Sequence, residues 1–297
     1  MLIFPGQGSQ YVGMGKEVYD NFAIARQTFE EVDEALGFKI SKIIFEGPEE
    51  ELKITSNAQP ALMVTSIAIL RVLQQEQGLD ISKMAFLAGH SLGEFSALVA
   101  NKTLSFEDGL RLVSARATAM QKACELTPST MAAILGLEDQ IVEEICSSID
   151  GVVVPANYNC PGQLVISGEL KAVEAACAKL TEAGAKRALI LQVGGAFHSP
   201  LMEPARAELA SAIESTAFNA PICPIYQNVN ALPVTDPSLI KTNLLAQLTA
   251  PVKWTQIMMA MNDHGLSEVI EVGPGKVLQG LFKKINRELP VSSASIG

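Results

Sequence analysis

Gly89-His90-Ser91-Leu92-Gly93 constrains the fold of this chain more than any other stretch. Met84-Ala85-Phe86-Leu87-Ala88 before it reads as a strand, and Glu94 to Ala100 after it reads as a helix. A serine placed between two glycines at such a junction needs a sharp backbone turn with small neighbours. Its hydroxyl then stands at the helix N-terminus, and the next amide, that of Leu92, is open to a developing negative charge. Ser91 is therefore a candidate nucleophile; the plainer alternative is a serine that only caps a helix. A strand that turns directly into a helix fits an α/β chain. The chain can fill such a core, because 48% of its 297 residues are apolar and only 18% are charged.

Periodicity and punctuation organise the rest. Leu2 to Phe4 reads as a short buried strand stopped by Pro5-Gly6-Gln7-Gly8-Ser9-Gln10, and a helix-rich region follows to about Leu79. Ser105-Phe106-Glu107-Asp108 has the form of a capping box that starts a helix running to about Cys124. Between Pro128 and Val193 the rhythm changes. Met131 to Leu137 is strand-like, Glu138 to Ile149 helical, Val152 to Ala156 a strand, and Asn159-Cys160-Pro161-Gly162 a turn. Leu164 to Ser167 is again a strand, Leu170 to Ala183 a helix and Arg187 to Val193 a strand. That βαββαβ order is the ferredoxin-like unit. It predicts a small domain over 128–193 inserted into a larger one made of 1–127 and 194–297. The remainder offers helices at about Leu201 to Ser215 and Ser238 to Leu248 and a strand at Glu268 to Val272. A Gly273-Pro274-Gly275 turn, a helix from Lys276 to Glu288 and a short apolar tail complete it.

Charge narrows the function. Against 22 Lys and Arg stand 32 Asp and Glu, a net charge of −10, which argues against general nucleic-acid binding and adsorption to membranes. The apolar stretch from Ala61 to Leu73 is far short of the about 20 residues that cross a bilayer, and no cationic leader precedes Leu2-Ile3-Phe4-Pro5. The expected place of work is the cytoplasm. The five cysteines, Cys124, Cys146, Cys160, Cys177 and Cys223, have no CxxC spacing and read as reduced, mostly buried thiols. With three histidines and no HExxH, neither a metal site nor a cofactor is called for.

A serine hydroxyl needs a base within hydrogen-bond reach. His90 neighbours Ser91 but should leave the turn in another direction, and His264 reads as an exposed helix end. His198 lies in the loop Gly194-Gly195-Ala196-Phe197-His198-Ser199-Pro200 after a strand, where a scaffold can present it. The Gly6-Gln7-Gly8-Ser9-Gln10 loop fails the dinucleotide fingerprint at Tyr11 and the P-loop at Met14, but its turn can offer a second amide, that of Gln10, to an oxyanion. Arg111 has Glu107 four residues before it and reads as a solvated ion pair. Arg116 differs: Leu112, Val113, Ala119 and Met120 flank it at helical spacing, which sets a guanidinium on an apolar face. Such a cation calls for a carboxylate or phosphate, and a substrate carboxylate held by two parallel N–H···O bonds would suit it. A snorkelling arginine or one paired with a distant Glu is the alternative.

Six stretches taken together carry a resemblance that covers almost the whole chain. They are Phe4-Pro5-Gly6-Gln7-Gly8-Ser9-Gln10, Gly89-His90-Ser91-Leu92-Gly93-Glu94, Arg116, Gly195-Ala196-Phe197-His198-Ser199, Gln247-Leu248-Thr249-x-Pro251-Val252-x-Trp254 and Glu271-Val272-Gly273-Pro274-Gly275. In this order they resemble the malonyl-CoA:acyl carrier protein transacylases of bacterial-type fatty-acid synthesis. The resemblance implies an α/β-hydrolase-like large domain carrying the inserted ferredoxin-like small domain. It implies Ser91 as nucleophile, His198 as general base, the Gln10 and Leu92 amides as oxyanion hole and Arg116 as the grip on the malonyl carboxylate. It further implies that the Gln247 main-chain carbonyl orients the imidazole, that Asn159 lines the cleft from the small domain, and that the bulk of Phe197 excludes an α-methyl branch. Malonyl-CoA and acyl carrier protein are the implied partners of a monomer working in ping-pong fashion.

An acetyl group would leave Arg116 unpaired, at roughly 3–5 kcal/mol, a discrimination of about a hundredfold or more. The acidic partners need local positive charge, for which Lys186-Arg187 and Lys283-Lys284 with Arg287 are candidates. Competing readings are a serine thioesterase or other hydrolase with the same Ser/His pair, a non-catalytic module that docks carrier protein, and a malonyl acyltransferase serving a polyketide pathway.

Overall fold

Leu2-Ile3-Phe4 is apolar at every position because both of its faces are covered. The computed structural model describes residues 1–294 and buries this strand, β1 (Leu2–Phe4), inside a parallel sheet. β2 (Leu87–Gly89) lies beside it with Phe4 opposite Gly89. Alternate side chains enter opposite layers, as the pleat requires. Leu2, Phe4 and Leu87 join one core with Phe95, Leu112 and Val113, while Ile3 and Ala88 join another with Trp254, Ile257 and Phe282. The helices Thr55–Gln77, Leu92–Ala100 and Phe106–Leu126 cover the first face, and Trp254–Asp263 and Val277–Ile285 cover the second.

β3 (Ser129–Leu135), β4 (Val153–Cys160), β5 (Gln163–Glu169) and β6 (Arg187–Ile190) make a separate antiparallel sheet in the order β4-β5-β3-β6. The helices Asp139–Ser147 and Leu170–Glu182 pack on it through Val142, Cys146, Val173, Ala176 and Leu180. The chain then returns to the first sheet with β7 (Ile225–Tyr226), β8 (Pro233–Val234), β9 (Val269–Glu271) and β10 (Val291–Ser293), completing the order β10-β9-β1-β2-β7-β8. All neighbours in that sheet are parallel except β8, which pairs antiparallel with β7 at the edge. The two sheets are joined at Val252: its N–H donates to Ala156 O at 2.8 Å and its carbonyl accepts from Tyr158 N at 2.9 Å.

Several boundaries differ from the sequence reading for local reasons. The strand at Met84 to Ala88 begins only at Leu87, where pairing with β1 and β7 starts, because Ile81–Lys83 winds into a short 3-10 turn just before it. The turn at Asn159 to Gly162 shrinks to Pro161-Gly162, with Gly162 at φ 75°, so Asn159 and Cys160 belong to β4. The helix from Leu201 starts as a 3-10 segment, Pro200–Ala205, and becomes regular at Arg206–Glu214 because Pro204 has no N–H to give. The capping box is half formed. Ser105 Oγ accepts from Asp108 N at 3.0 Å, but the Asp108 carboxylate accepts the serine hydroxyl at 2.8 Å instead of reaching the backbone. The helix Trp254–Asp263 and the two-residue strands β7 and β8 carried no sequence signal strong enough to assign. The apolar tail supplies edge strand β10; its last residues, 295–297, lie outside the described part.

The turn after β2 works only with glycine at both flanks. A Cβ on Gly89 would stand 1.9 Å from the Gly93 carbonyl carbon, and one on Gly93 would stand 2.1 Å from Phe4 O. The helix Leu92–Ala100 is thereby pressed against β1. Gly93→Ala is expected to lower the unfolding free energy by at least about 2 kcal/mol in urea denaturation, the cost of overpacking rigid backbone. Wild-type stability in that variant would contradict this close packing.

Candidate active site

The carboxyl ends of β1 and β2 open into a cleft of about 400 Å³, a volume suited to a small-molecule site. Ser91 lies at the junction between β2 and the helix Leu92–Ala100, with φ 50° and ψ −105°. So strained a backbone at a residue other than glycine persists only where its surroundings hold it. Here Asn228 does so: its Oδ1 accepts from Ser91 N at 2.7 Å and its Nδ2 donates to Gly89 O at 2.7 Å. Leu92 occupies the first helical position, so its N–H has no acceptor within the helix. Leu92 and Gln10 both line the cleft with Ser91, and Gln10 Oε1 accepts from Gly8 N at 2.7 Å, closing the glycine-rich loop.

His198 meets Ser91 from the opposite wall. Its Nε2 lies 2.8 Å from Ser91 Oγ and its Nδ1 lies 2.9 Å from the Gln247 carbonyl. A carbonyl only accepts, so Nδ1 carries the proton and the Nε2 lone pair faces the hydroxyl. The loop that presents the ring is tied down on both sides. Ala196 N donates to Ser129 Oγ at 3.2 Å, and Ser199 Oγ donates to Ala196 O at 2.7 Å. His198 itself has φ 55°. Burial, reinforced by the nearby Arg116 charge, pushes its pKa down to about 3, against the hydrogen bond to Gln247. The imidazole is therefore neutral, and its Nε2 lone pair is free to accept from the Ser91 hydroxyl.

Arg116 is 1% exposed. Its Nη1 donates to Gln59 Oε1 at 2.6 Å, and its Nη2 donates to Gln247 Oε1 at 3.0 Å and to Ser91 Oγ at 3.1 Å. Its Nε has no partner, and the Phe95 ring lies 5.3 Å away. Among the described residues, none of the ion pairs includes this guanidinium. Burial lowers its pKa to about 10, and the negative charge of Glu94 works in the other direction. The structure thus places a cation beside the serine with neutral oxygens as its direct partners, an arrangement that invites an anionic ligand.

Of the sequence-derived site residues, Ser91, His198, Gln10, Leu92, Arg116 and Phe197 all line the cleft. Gln247 lies just behind them, fully buried, with its carbonyl on His198 and its side chain on Arg116. Asn159 stands next to this lining, with its Oδ1 2.9 Å from His90 Nε2, and Asn157, two residues earlier on β4, lines the cleft. His90 turns away from Ser91 onto Asn159 and Trp254, and His264 is exposed, leaving His198 next to the hydroxyl.

Sequence reasoning missed Gln59, Glu94 and Asn228. Gln59 and Glu94 could have been suspected on the same ground as Arg116. Gln59 stands within Ala58-Gln59-Pro60-Ala61-Leu62 and Glu94 within Leu92-Gly93-Glu94-Phe95, each a polar group in an apolar run, whereas Asn228 lies in the polar stretch Gln227-Asn228-Val229-Asn230 and carries no such signal. Glu94 is fully buried, and burial raises its pKa to about 7 despite hydrogen bonds from Asn228, Gln227 and Gln247 and the nearby Arg116 charge.

Residues 1–296 match the family described as acyl transferase domain. The chain is 44% identical over 297 residues to the malonyl CoA-acyl carrier protein transacylase of Bacillus subtilis (strain 168), covering 99% of this chain and 92% of that protein. A solved acyl-carrier-protein S-malonyltransferase from Bartonella henselae superposes with a TM-score of 0.96 at 46% identity, covering 99% of this chain and 94% of that one. A further structure, a type II PKS acyl-carrier protein in complex with its malonyl-transacylase, matches with a TM-score of 0.94 at 39% identity over 99% of this chain and 94% of that one.

Asn228→Ala removes the acceptor for Ser91 N and the donor for Gly89 O at once. Leaving those two buried groups unsatisfied is expected to lower stability by about 2 kcal/mol or more. Chemical denaturation checks this; an unchanged midpoint would show that the strained turn holds itself.

Proposed function

The chain belongs to the family of acyl transferase domains, and on that premise we propose that Ser91 carries the acyl group and that His198 and Arg116 act directly on it. The protein is a malonyltransferase. It moves a malonyl group from malonyl-CoA to the phosphopantetheine thiol of acyl carrier protein, in fatty-acid synthesis. The observation that carries the residue roles is the convergence of His198 Nε2 at 2.8 Å and Arg116 Nη2 at 3.1 Å on the same Ser91 oxygen.

The neutral imidazole takes the proton of Ser91 as Oγ attacks the thioester carbonyl. The resulting oxyanion sits against the amides of Gln10 and Leu92, each such donor being worth about 10²–10³ in rate. Collapse expels CoA as a thiol, with the proton returned from His198, and leaves malonyl esterified to Ser91. The carrier-protein thiol then enters, gives its proton to His198, attacks the ester and departs as malonyl thioester while His198 returns that proton to Ser91 Oγ, so that the cycle is ping-pong. The Gln247 carbonyl on Nδ1 holds the ring in the tautomer both halves require and takes the place of a triad aspartate.

Arg116 binds the free carboxylate of the malonyl group. Ser91 Oγ, which accepts from the guanidinium before acylation, becomes the ester oxygen, and the carboxylate supplies a charged acceptor. An acetyl group supplies none. The discrimination is smaller than for a wholly unpaired cation, because Gln59 and Gln247 remain as neutral partners. A hydrogen bond to a charged group contributes about 1.5–3 kcal/mol, which corresponds to roughly 10- to 150-fold. Phe197, 6% exposed beside His198 in the cleft, fills the space an α-methyl branch would need.

The order β4-β5-β3-β6 with its two helices supports reading 128–193 as a ferredoxin-like insertion in an α/β-hydrolase-like domain made of 1–127 and 194–297. Five free cysteines support a reducing compartment, the cytoplasm, and no helix among the described residues is long and apolar enough to cross a membrane. Lys186, Arg187, Lys283, Lys284 and Arg287 are all exposed and offer the acidic carrier protein local positive charge on a protein that works as a monomer. A pathway making polyketides would use the same chemistry, and the carrier-protein complex among the similar structures is of that kind.

Incubation with malonyl-CoA and no carrier protein is expected to leave one malonyl adduct, mapped by mass spectrometry to Ser91 and absent from Ser91→Ala. Rapid accumulation of free CoA with an unmodified chain would point to a hydrolase, and no reaction to a docking module. Arg116→Ala is expected to slow malonyl loading by roughly 10- to 150-fold relative to acetyl loading; an equal loss for both donors would refute the carboxylate grip.

A further inference from the structure

Glu94 is 0% exposed, directly behind the serine turn, and its carboxylate is fully engaged without a cation in contact. Its Oε1 accepts from Gln227 Nε2 at 3.0 Å, and its Oε2 accepts from Asn228 N at 2.8 Å and from Gln247 Nε2 at 3.1 Å. Gln247 Nε2 also faces Ser91 O at 3.2 Å and Asn228 Oδ1 at 3.3 Å. A side-chain amide has one donor end and one acceptor end. With acceptors gathered around its nitrogen, the Gln247 oxygen is left to face Arg116 Nη2 at 3.0 Å. Turning the amide over would set its oxygen against a carboxylate and its N–H groups against a guanidinium, two contacts of like polarity.

We propose that Glu94 is a positioning residue for malonyl selection: its carboxylate fixes the Gln247 amide, and the fixed amide holds Arg116 where the malonyl carboxylate arrives. The inference rests on the reading of Arg116 as the carboxylate grip. Glu94 touches no reacting atom. It acts at one remove, in the way that outer hydrogen-bond partners orient a working side chain.

The experiment measures single-turnover acylation of Ser91 by malonyl-CoA and by acetyl-CoA, read by intact mass, and takes the ratio of the two rates. Gln247→Leu deletes the amide while keeping the main-chain carbonyl on His198, and is expected to lower the malonyl-to-acetyl ratio about tenfold or more. Glu94→Met, which removes the acceptor at similar volume, is expected to lower it by the same order. Glu94→Gln retains an acceptor oxygen for Gln247 Nε2 and is expected to restore the ratio to within about threefold of wild type.

Glu94→Leu makes the same deletion should Glu94→Met not fold, and adding either to Gln247→Leu should change the ratio no further. Equal slowing of both donors in Gln247→Leu or Glu94→Met would mean a merely structural carboxylate and overturn the proposal. So would a Glu94→Gln ratio as low as that of Gln247→Leu, or a further drop in the double variant. Arg116→Ala separates the two levels: if it leaves the ratio unchanged, the grip itself is refuted, whereas a lowered ratio there with none in Gln247→Leu refutes only the role of Glu94.

Discussion

A guanidinium with almost no access to water, held by amide and hydroxyl oxygens, is the interaction around which the site is arranged. Arg116 would be expensive to bury without those oxygens, and Gln59, Gln247 and Ser91 supply them from three different segments of the chain. The cation also acts on its neighbour. Together with burial it keeps His198 unprotonated, so the charge placed to receive an anion also sets the protonation state of the imidazole facing Ser91.

Holding that charge beside a serine requires backbone that would not keep its shape alone. Ser91 and His198 both have positive φ, and each is restrained by polar contacts from elsewhere: Asn228 for the serine turn, Ser129 and Gln247 for the histidine loop. Glu94, Asn228 and Gln247 form a buried polar layer beneath the cleft in which the turn, the base and the cation share partners. Such networks impose geometry when every member is satisfied. The glycines flanking the serine bring helix and β1 close enough for this layer to close.

Much of this was legible in the sequence where local pattern decides the structure. The Gly-His-Ser-Leu-Gly turn lies between a strand and a helix, and the βαββαβ rhythm corresponds to a four-stranded antiparallel sheet with two helices. Arg116 was visible because helical spacing reports which face a side chain occupies. Partners contributed from far along the chain were not visible. Gln59 reaches Arg116 across 57 residues and Gln247 across 131, and no periodicity records such a meeting. β7 and β8 are too short, at two residues each, to carry a pattern. Nor does any local pattern show that Asn159 engages His90 across 69 residues.

The protonation state of His198 is where the physical argument is most exposed to measurement. With histidine labelled at the ring nitrogens and Cε1, NMR titration of the resting protein should find His198 neutral, with the proton on Nδ1, from about pH 8 to about pH 5, well below the ordinary imidazole midpoint of about 6.5. A His198 resonance titrating near that ordinary midpoint, or a proton residing on Nε2, would contradict the claim that burial and Arg116 together keep a neutral imidazole with its lone pair facing Ser91.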